Sequence, residues 1–311
     1  MPADLTHCVA EGLQRFRTAF QQPHPSCGER GRFLHLSRGR VHLLEAGEGP
    51  RTVLLLHGLG GLAQEILLPF VAFADRYRLI AIDRPGYGRT DPLPASEMGA
   101  DRQAEWLAEV LKCLGIRQPI LVAHSISAPI ALLAKADIGG MLLLAPFCRM
   151  TMPRPRPVLR LANAPVLGRL VRRWLLPIIA PRLAGHCLRR AFEPDPVPSY
   201  FADFPVGLAA QASAVQAMAA ELRGFNRAAA ILSRRAAAVR RRTIVIAGEK
   251  DAIARADHHA AWLADQLPAC RLVRLPGAGH MVHHVSPAAA ATALSELCES
   301  DVPRRYFSSA S

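Results

Sequence analysis

Six short apolar runs, each about five residues long, set the rhythm of the chain: Thr52 to Leu56, Arg78 to Ile82, Pro119 to Ala123, Met141 to Ala145, Thr243 to Ala247 and Arg271 to Leu275. They are rich in Val, Ile and Leu without polar alternation, the pattern of strands covered on both faces. A mostly parallel sheet flanked by helices is therefore expected. Ahead of these runs, Phe33 to Ser37 and Arg40 to Ala46 bracket the turn signal Arg38-Gly39 and predict an antiparallel hairpin. Between the second and third runs, Trp106, Leu107, Val110, Leu111 and Leu114 recur at helical spacing, with Gly115 as the stop. Pro287 opens a closing helix that carries Leu294 and Leu297.

The rhythm stops between Pro146 and Arg242. Ten prolines divide that stretch into short pieces, yet apolar residues stay dense, and a linker would be more polar. An inserted helical cap is the expected organisation. It gives an N-terminal extension over 1–32, a core in two parts over 33–146 and 242–299, a cap insertion over 147–241 and a tail over 300–311. No apolar run reaches the ~18 residues that span a bilayer. The first 30 residues are polar, mixed in charge and interrupted by Pro23 and Pro25, unlike a secretory signal, so a cytoplasmic enzyme is expected.

The net charge of +13 on 311 residues suggests nucleic acid until it is located. The stretch from Phe147 to Arg242 holds 17 arginines, no lysine and the four acids Glu193, Asp195, Asp203 and Glu221, so its own balance of +13 equals that of the whole chain. Few aromatics are available there to stack on bases, and no nucleic-acid motif accompanies them; a nucleic-acid partner is not expected. Within it, Val166, Leu167, Leu170, Val171, Trp174 and Leu175 form a stripe, with Arg169, Arg172 and Arg173 off it. Two readings stand: a helix packed on the core with solvated arginines, or a basic amphipathic surface that meets anionic lipid or admits an amphiphilic substrate. The seven cysteines are odd in number, widely spaced and form no C-x-x-C pair, which points to reduced, mostly buried thiols rather than disulfides or a zinc site.

Catalytic chemistry enters at Ser125. It stands where an apolar run ends and a helical pattern begins, the strand-turn-helix setting of a nucleophile elbow. The glycines of G-x-S-x-G are replaced by Ala123 and Ser127, both small enough for a tight turn. Read alone, Ser125 could equally be a helix-capping serine. Two further groups change the balance. The run at 243 ends in Gly248-Glu-Lys-Asp251 and the run at 271 in Pro276-Gly-Ala-Gly-His280, so an acid and a histidine follow Ser125 in the order Ser, Asp, His.

Over about residues 33 to 298 the chain resembles the α/β hydrolase superfamily, in its serine-nucleophile branch with a helical cap. The matching pieces are His57-Gly58-Leu59-Gly60-Gly61, Asp83-Arg84-Pro85-Gly86-Tyr87-Gly88, Ala123-His124-Ser125-Ile126-Ser127, Gly248 to Asp251 and Gly277 to His280. The resemblance implies an α/β hydrolase fold, Ser125 as nucleophile, His280 as base, Asp251 as orienting acid, and backbone N–H groups of Leu59 and Ile126 as the oxyanion hole. No metal or organic cofactor is implied. Phe147, Cys148 and Arg149 occupy the position where a family variant carries its acid, so Asp251 has no rival there. The expected activity is hydrolysis of an apolar or amphiphilic ester of medium or long acyl chain. Carbon-carbon bond hydrolysis, acyl transfer by the same residues, and non-catalytic ligand binding remain alternatives. His57 and His124 are read as packing or loop-orienting residues, Asp83 and Asp91 as loop holders, and the pairs His258-His259 and His283-His284 are assigned to no site, because neighbours on a helix point apart.

Overall fold

The computed structural model describes residues 30–151, 164, 167–171, 174 and 176–299. The extension up to residue 29, the tail from residue 300, Cys8, Cys27, and Val166, Arg172, Arg173 and Leu175 of the stripe lie outside them. Each of the six apolar runs becomes a strand: β3 (Arg51–Leu56), β4 (Tyr77–Ile82), β5 (Ile120–His124), β6 (Gly140–Leu144), β7 (Thr243–Gly248) and β8 (Cys270–Leu275). The hairpin forms as β1 (Arg30–Leu36) and β2 (Gly39–Ala46). Together they make one sheet in the order β1-β2-β4-β3-β5-β6-β7-β8, parallel from β4 to β8, with β1 and β2 antiparallel. This is the α/β hydrolase fold.

The unbroken runs have the cause the sequence suggests. On β3, Val53 and Leu55 enter the apolar layer of Phe70, Phe73 and Leu294, while Leu54 and Leu56 enter the opposite layer with Trp106, Leu107 and Val110. All four are fully buried, so none of these four positions was free to be polar, while Arg51 and Thr52 at the strand's start are only partly buried. β8 departs from the expectation. It is an edge strand of the sheet, its residues are at most partly covered, and Arg271 and Arg274 face solvent. The predicted helices run over Ala100–Cys113 and Pro287–Glu299. Gly115, just past the first, has φ +64°, the left-handed stop a glycine permits.

Between β6 and β7 the chain leaves the sheet and forms helices, chiefly Leu176–Phe192 and Ala212–Arg235. The longer helix buries Ala214, Ala217, Ala220, Phe225, Ala228 and Leu232 on one face. Alanine there permits close approach: a side chain added at Gly86, itself at φ +80°, would meet Ala217 Cβ at 3.0 Å. Parallel order brings the ends of β3, β5, β7 and β8 to one edge of the sheet, where α/β proteins bind their ligands. Of the described cysteines, Cys148 and Cys298 are buried, whereas Cys113 and Cys187 are exposed, against the expectation of mostly buried thiols.

Candidate active site

β5 ends at His124, a tight turn covers Ser125–Ser127, and a helix runs over Ala128–Leu133 with Pro129 in its first turn. Ser125 has φ +57°, a left-handed conformation that residues with side chains rarely adopt outside constrained sites. Room for that turn comes from small neighbours. Ala123 and Ser127 are fully buried, and a side chain on Gly58 would lie 3.3 Å from Ser125 Cβ and 2.7 Å from His124 Nδ1. Two backbones thus meet where only a glycine and a small residue fit.

The structure brings the three sequence-derived residues together. His280 Nε2 lies 3.0 Å from Ser125 Oγ, and its Nδ1 lies 2.7 Å from Asp251 Oδ2. The other carboxylate oxygen of Asp251 accepts from the amides of Ile253 (2.7 Å) and Ala254 (2.8 Å). All three side chains are buried. Burial alone would raise the Asp251 pKa, but the His280 charge, its hydrogen bond and the two amides together hold it below the usual carboxylate value. An ionised acceptor at Nδ1 leaves Nε2 of a neutral imidazole free to accept from the serine hydroxyl. The inserted helices reach this loop as well, since His280 N donates to the carbonyl of Ala191 over 3.2 Å.

Ile126 follows Ser125 in the turn, and Leu59 follows Gly58, whose backbone comes close to Ser125. Ile126 is buried and packs against Phe147, Phe225 and Ala229, whereas Leu59 is among the exposed large apolar residues. Behind Leu59, the loop is held by its carbonyls. Gly58 O accepts from Gly61 N (3.3 Å), His57 Nδ1 (2.8 Å) and Arg84 Nη2 (3.1 Å). His57 O accepts from Arg84 Nε (2.9 Å) and the Ser127 hydroxyl (2.5 Å). His57 Nε2 accepts from Arg84 N (3.0 Å), so the ring is neutral with its proton on Nδ1; burial, with Arg84 nearby, lowers its pKa to about 4. The loop-orienting role read for His57 matches this geometry. Asp83 likewise holds its loop, accepting from Ala63 N and Arg89 N, and Asp91 accepts from Arg40 N.

Two buried polar clusters escaped sequence reasoning. In the first, Arg84 pairs with Glu221 of the long inserted helix, and Tyr87 and Gln103 complete the set by donating to Glu221 at 2.6 and 2.7 Å. The signal for it was an acid on an otherwise apolar helix face. In the second, both His283 Nε2 and His284 Nε2 reach Glu65 Oε1, at 3.0 and 2.9 Å, and Tyr200 OH lies 2.9 Å from His284 Nδ1. The expectation that adjacent histidines point apart fails here. They sit on the four-residue helix Val282–Val285, too short to impose a regular helical spread, and a single carboxylate oxygen has lone pairs for two donors. Among the described residues, Glu65, His283 and His284 are the one group close enough to hold a metal. A ligating imidazole ordinarily passes its second nitrogen to a partner, and His283 Nδ1 is buried without one. The trio therefore fits a hydrogen-bonded carboxylate better than a cation site. His258 and His259 bind backbone instead: His259 Nδ1 accepts from Cys148 N and Arg149 N, and His258 Nε2 meets Met150 O.

A strained serine after the parallel strand β5, backed by aspartate and histidine from the loops after β7 and β8, is the architecture of one large enzyme class. The chain belongs to the alpha/beta hydrolase family, whose model matches residues 53–293. It is similar to a 2-hydroxy-6-oxononadienedioate/2-hydroxy-6-oxononatrienedioate hydrolase of Paraburkholderia phymatum, 38% identical over 90 residues, which cover 28% of this chain and 31% of the relative. It is also similar to the dihydrolipoyllysine-residue acetyltransferase component of an acetoin cleaving system from Cupriavidus necator, 29% identical over 124 residues, or 38% of this chain and 33% of the relative. The matched stretches thus span about a third of these relatives. Among solved structures, a putative lipase from Acinetobacter baumannii superposes with a TM-score of 0.69 at 20% identity, covering 91% of this chain and 96% of that one.

Proposed function

We propose that the protein is a serine hydrolase that cleaves carboxylic esters of apolar, medium or long acyl substrates. The observation that carries this reading is the His280 ring, within hydrogen-bond reach of Ser125 Oγ at Nε2 and of Asp251 Oδ2 at Nδ1. In the mechanism, Nε2 takes the hydroxyl proton as Oγ bonds to the ester carbonyl carbon, and Asp251 stabilises the resulting imidazolium. The carbonyl oxygen becomes an alkoxide that accepts from the N–H groups of Leu59 and Ile126. The tetrahedral adduct collapses, the C–O bond to the alcohol breaks, and His280 returns its proton to the departing alkoxide. Water, deprotonated by His280, then repeats the sequence on the acyl-enzyme and releases the acid.

Preference for apolar chains rests on what packs beside the nucleophile: Ile126, Phe147, Phe225 and Ala229. A fluorophosphonate that labels folded wild-type protein but not Ser125→Ala tests the nucleophile, and p-nitrophenyl esters of rising chain length test the substrate class. No labelling of the folded protein would refute the reading. The likeness to the oxononadienedioate hydrolase favours a second reading, carbon-carbon bond hydrolysis by the same three residues; turnover of such a dienedioate and not of any ester would select it. Contact with anionic lipid is a further part of the proposal. Leu170 and Trp174 are exposed, as are Arg189 and Arg190 on the following helix. Among the described residues no helix is long and apolar enough to cross a membrane.

A further inference from the structure

We propose that Arg84 and Glu221 form a clasp through which the inserted helix sets the oxyanion loop, making Arg84 a positioning residue for the Leu59 N–H. The proposal rests on the serine-hydrolase reading above and adds to it the reason the loop is in register.

The connection is geometric. Gly58 C=O and Leu59 N–H belong to the same peptide unit, which is planar and trans, so the two bonds point in opposite directions. Whatever fixes the Gly58 carbonyl also aims the Leu59 N–H. Arg84 holds that carbonyl through Nη2 at 3.1 Å and the preceding one, His57 O, through Nε at 2.9 Å. A guanidinium is a rigid planar fork, so gripping two successive carbonyls fixes the loop's orientation as well as its distance. Its charge also polarises the Gly58 peptide, which strengthens the N–H on the far side as a donor.

Arg84 in turn is placed from the insertion. Its side chain is fully buried and that of Glu221 nearly so, at 0% and 3% exposure. Nη1 and Nη2 both reach the Glu221 carboxylate, which also accepts from Tyr87 OH and Gln103 Nε2. Among the described residues, the other hydrogen-bond partners of Arg84 come from the core, and Glu221 belongs to the long inserted helix. The same helix carries Met218, whose sulfur would lie 3.7 Å from a side chain at Gly60, and Phe225 against Ile126. Substrate pocket and oxyanion loop therefore share one helix. A burial this deep makes an unpaired arginine costly, so the helix cannot withdraw Glu221 while Arg84 keeps its place.

Three full-length variants test this: Glu221→Gln; the double change Arg84→Met with Glu221→Met, which removes both charges together and so avoids an unpaired buried ion; and Tyr87→Phe, which removes one donor to Glu221 and leaves both charges. Hydrolysis of p-nitrophenyl butyrate gives kcat and KM. A trifluoromethyl ketone of the same acyl chain, which adds Ser125 to form an anionic hemiketal, reads the oxyanion donors directly. Circular dichroism reports folding. Losing one such donor costs about 10²-fold or more in kcat. The double variant is expected to lose about that much, with KM within about twofold and ketone affinity falling in parallel. Glu221→Gln falls in between, and Tyr87→Phe shows the smallest loss of the same kind. Folded variants with unchanged kcat and ketone affinity, or with a raised KM alone, overturn the clasp while wild-type labelling at Ser125 leaves the serine reading intact. Wild-type protein that resists fluorophosphonate overturns both.

Discussion

The hydroxyl of Ser127 donates to the carbonyl oxygen of His57 over 2.5 Å, tying the turn that carries Ser125 to the loop that carries Leu59. A glycine at 127 would leave that contact unmade. Replacing the glycine of the usual elbow motif therefore adds a strut rather than merely tolerating a larger residue. Ser127→Ala is expected to lower stability by about 1 kcal/mol and kcat several-fold, since His57 O keeps Arg84 but loses one donor. Ser127→Val, in a fully buried site, is expected to be worse in both because added volume has nowhere to go. Thermal midpoints and ester turnover measured on the same preparations check the ranking.

Asp251→Asn separates orientation from presence. Its Oδ1 can still accept from Ile253 and Ala254, so the new amide nitrogen turns toward His280 Nδ1 and presents a donor there. The imidazole is driven to the tautomer with its proton on Nε2, which cannot accept from Ser125. A fall of about 10⁴-fold in kcat is expected, with little change in folding. A loss under about tenfold would remove Asp251 from the proposed role.

Phe225→Ala enlarges the space beside Ile126. Phenylalanine truncation in a buried site typically costs about 3–5 kcal/mol, so a lower thermal midpoint is expected. The informative readout is the ester panel, in which the optimum should move to longer or bulkier acyl chains. An unchanged optimum would place the acyl chain elsewhere.

Acid should destabilise the fold well before its carboxylates titrate. His57 and His283 are buried and their pKa values lie near 4, against about 6.5 for an unfolded histidine. Between these values the unfolded chain binds protons that the folded one refuses, so stability is full above about pH 6.5 and falls as pH drops toward 4. Asp251 and Glu65, both held below their ordinary values, add losses at still lower pH. Denaturant midpoints measured from pH 8 to pH 4 should fall steadily below about 6.5. A flat profile down to pH 5 would contradict the buried neutral histidines.

Lipid contact predicts salt-sensitive flotation. Protein should float with vesicles of anionic phospholipid at low salt, less so at high salt, and not with zwitterionic vesicles. Trp174→Ala, removing a residue 66% exposed, should weaken flotation without changing hydrolysis of a soluble ester. Binding indifferent to lipid charge would refute a role for the arginines.

The sequence by itself determined the sheet and the order of the three residues at its edge. Strands covered on both faces are apolar where they are covered, so β3 to β7 are legible as unbroken runs; Ser125 directly follows β5, and Asp251 and His280 stand a short loop beyond β7 and β8. At β8 the same reasoning overreached, because its place at the sheet's edge is set by neighbours rather than by its own composition. Only the tertiary structure decided how the loops are held. Arg84 and Glu221 lie 137 residues apart, and Glu65 and His283 218 apart. No periodicity links such partners, since their contact depends on how the inserted helices and the closing loop pack. Glu221 was visible as an acid and Arg84 as part of a loop motif; that each is the other's buried partner follows from the docking of one helix face.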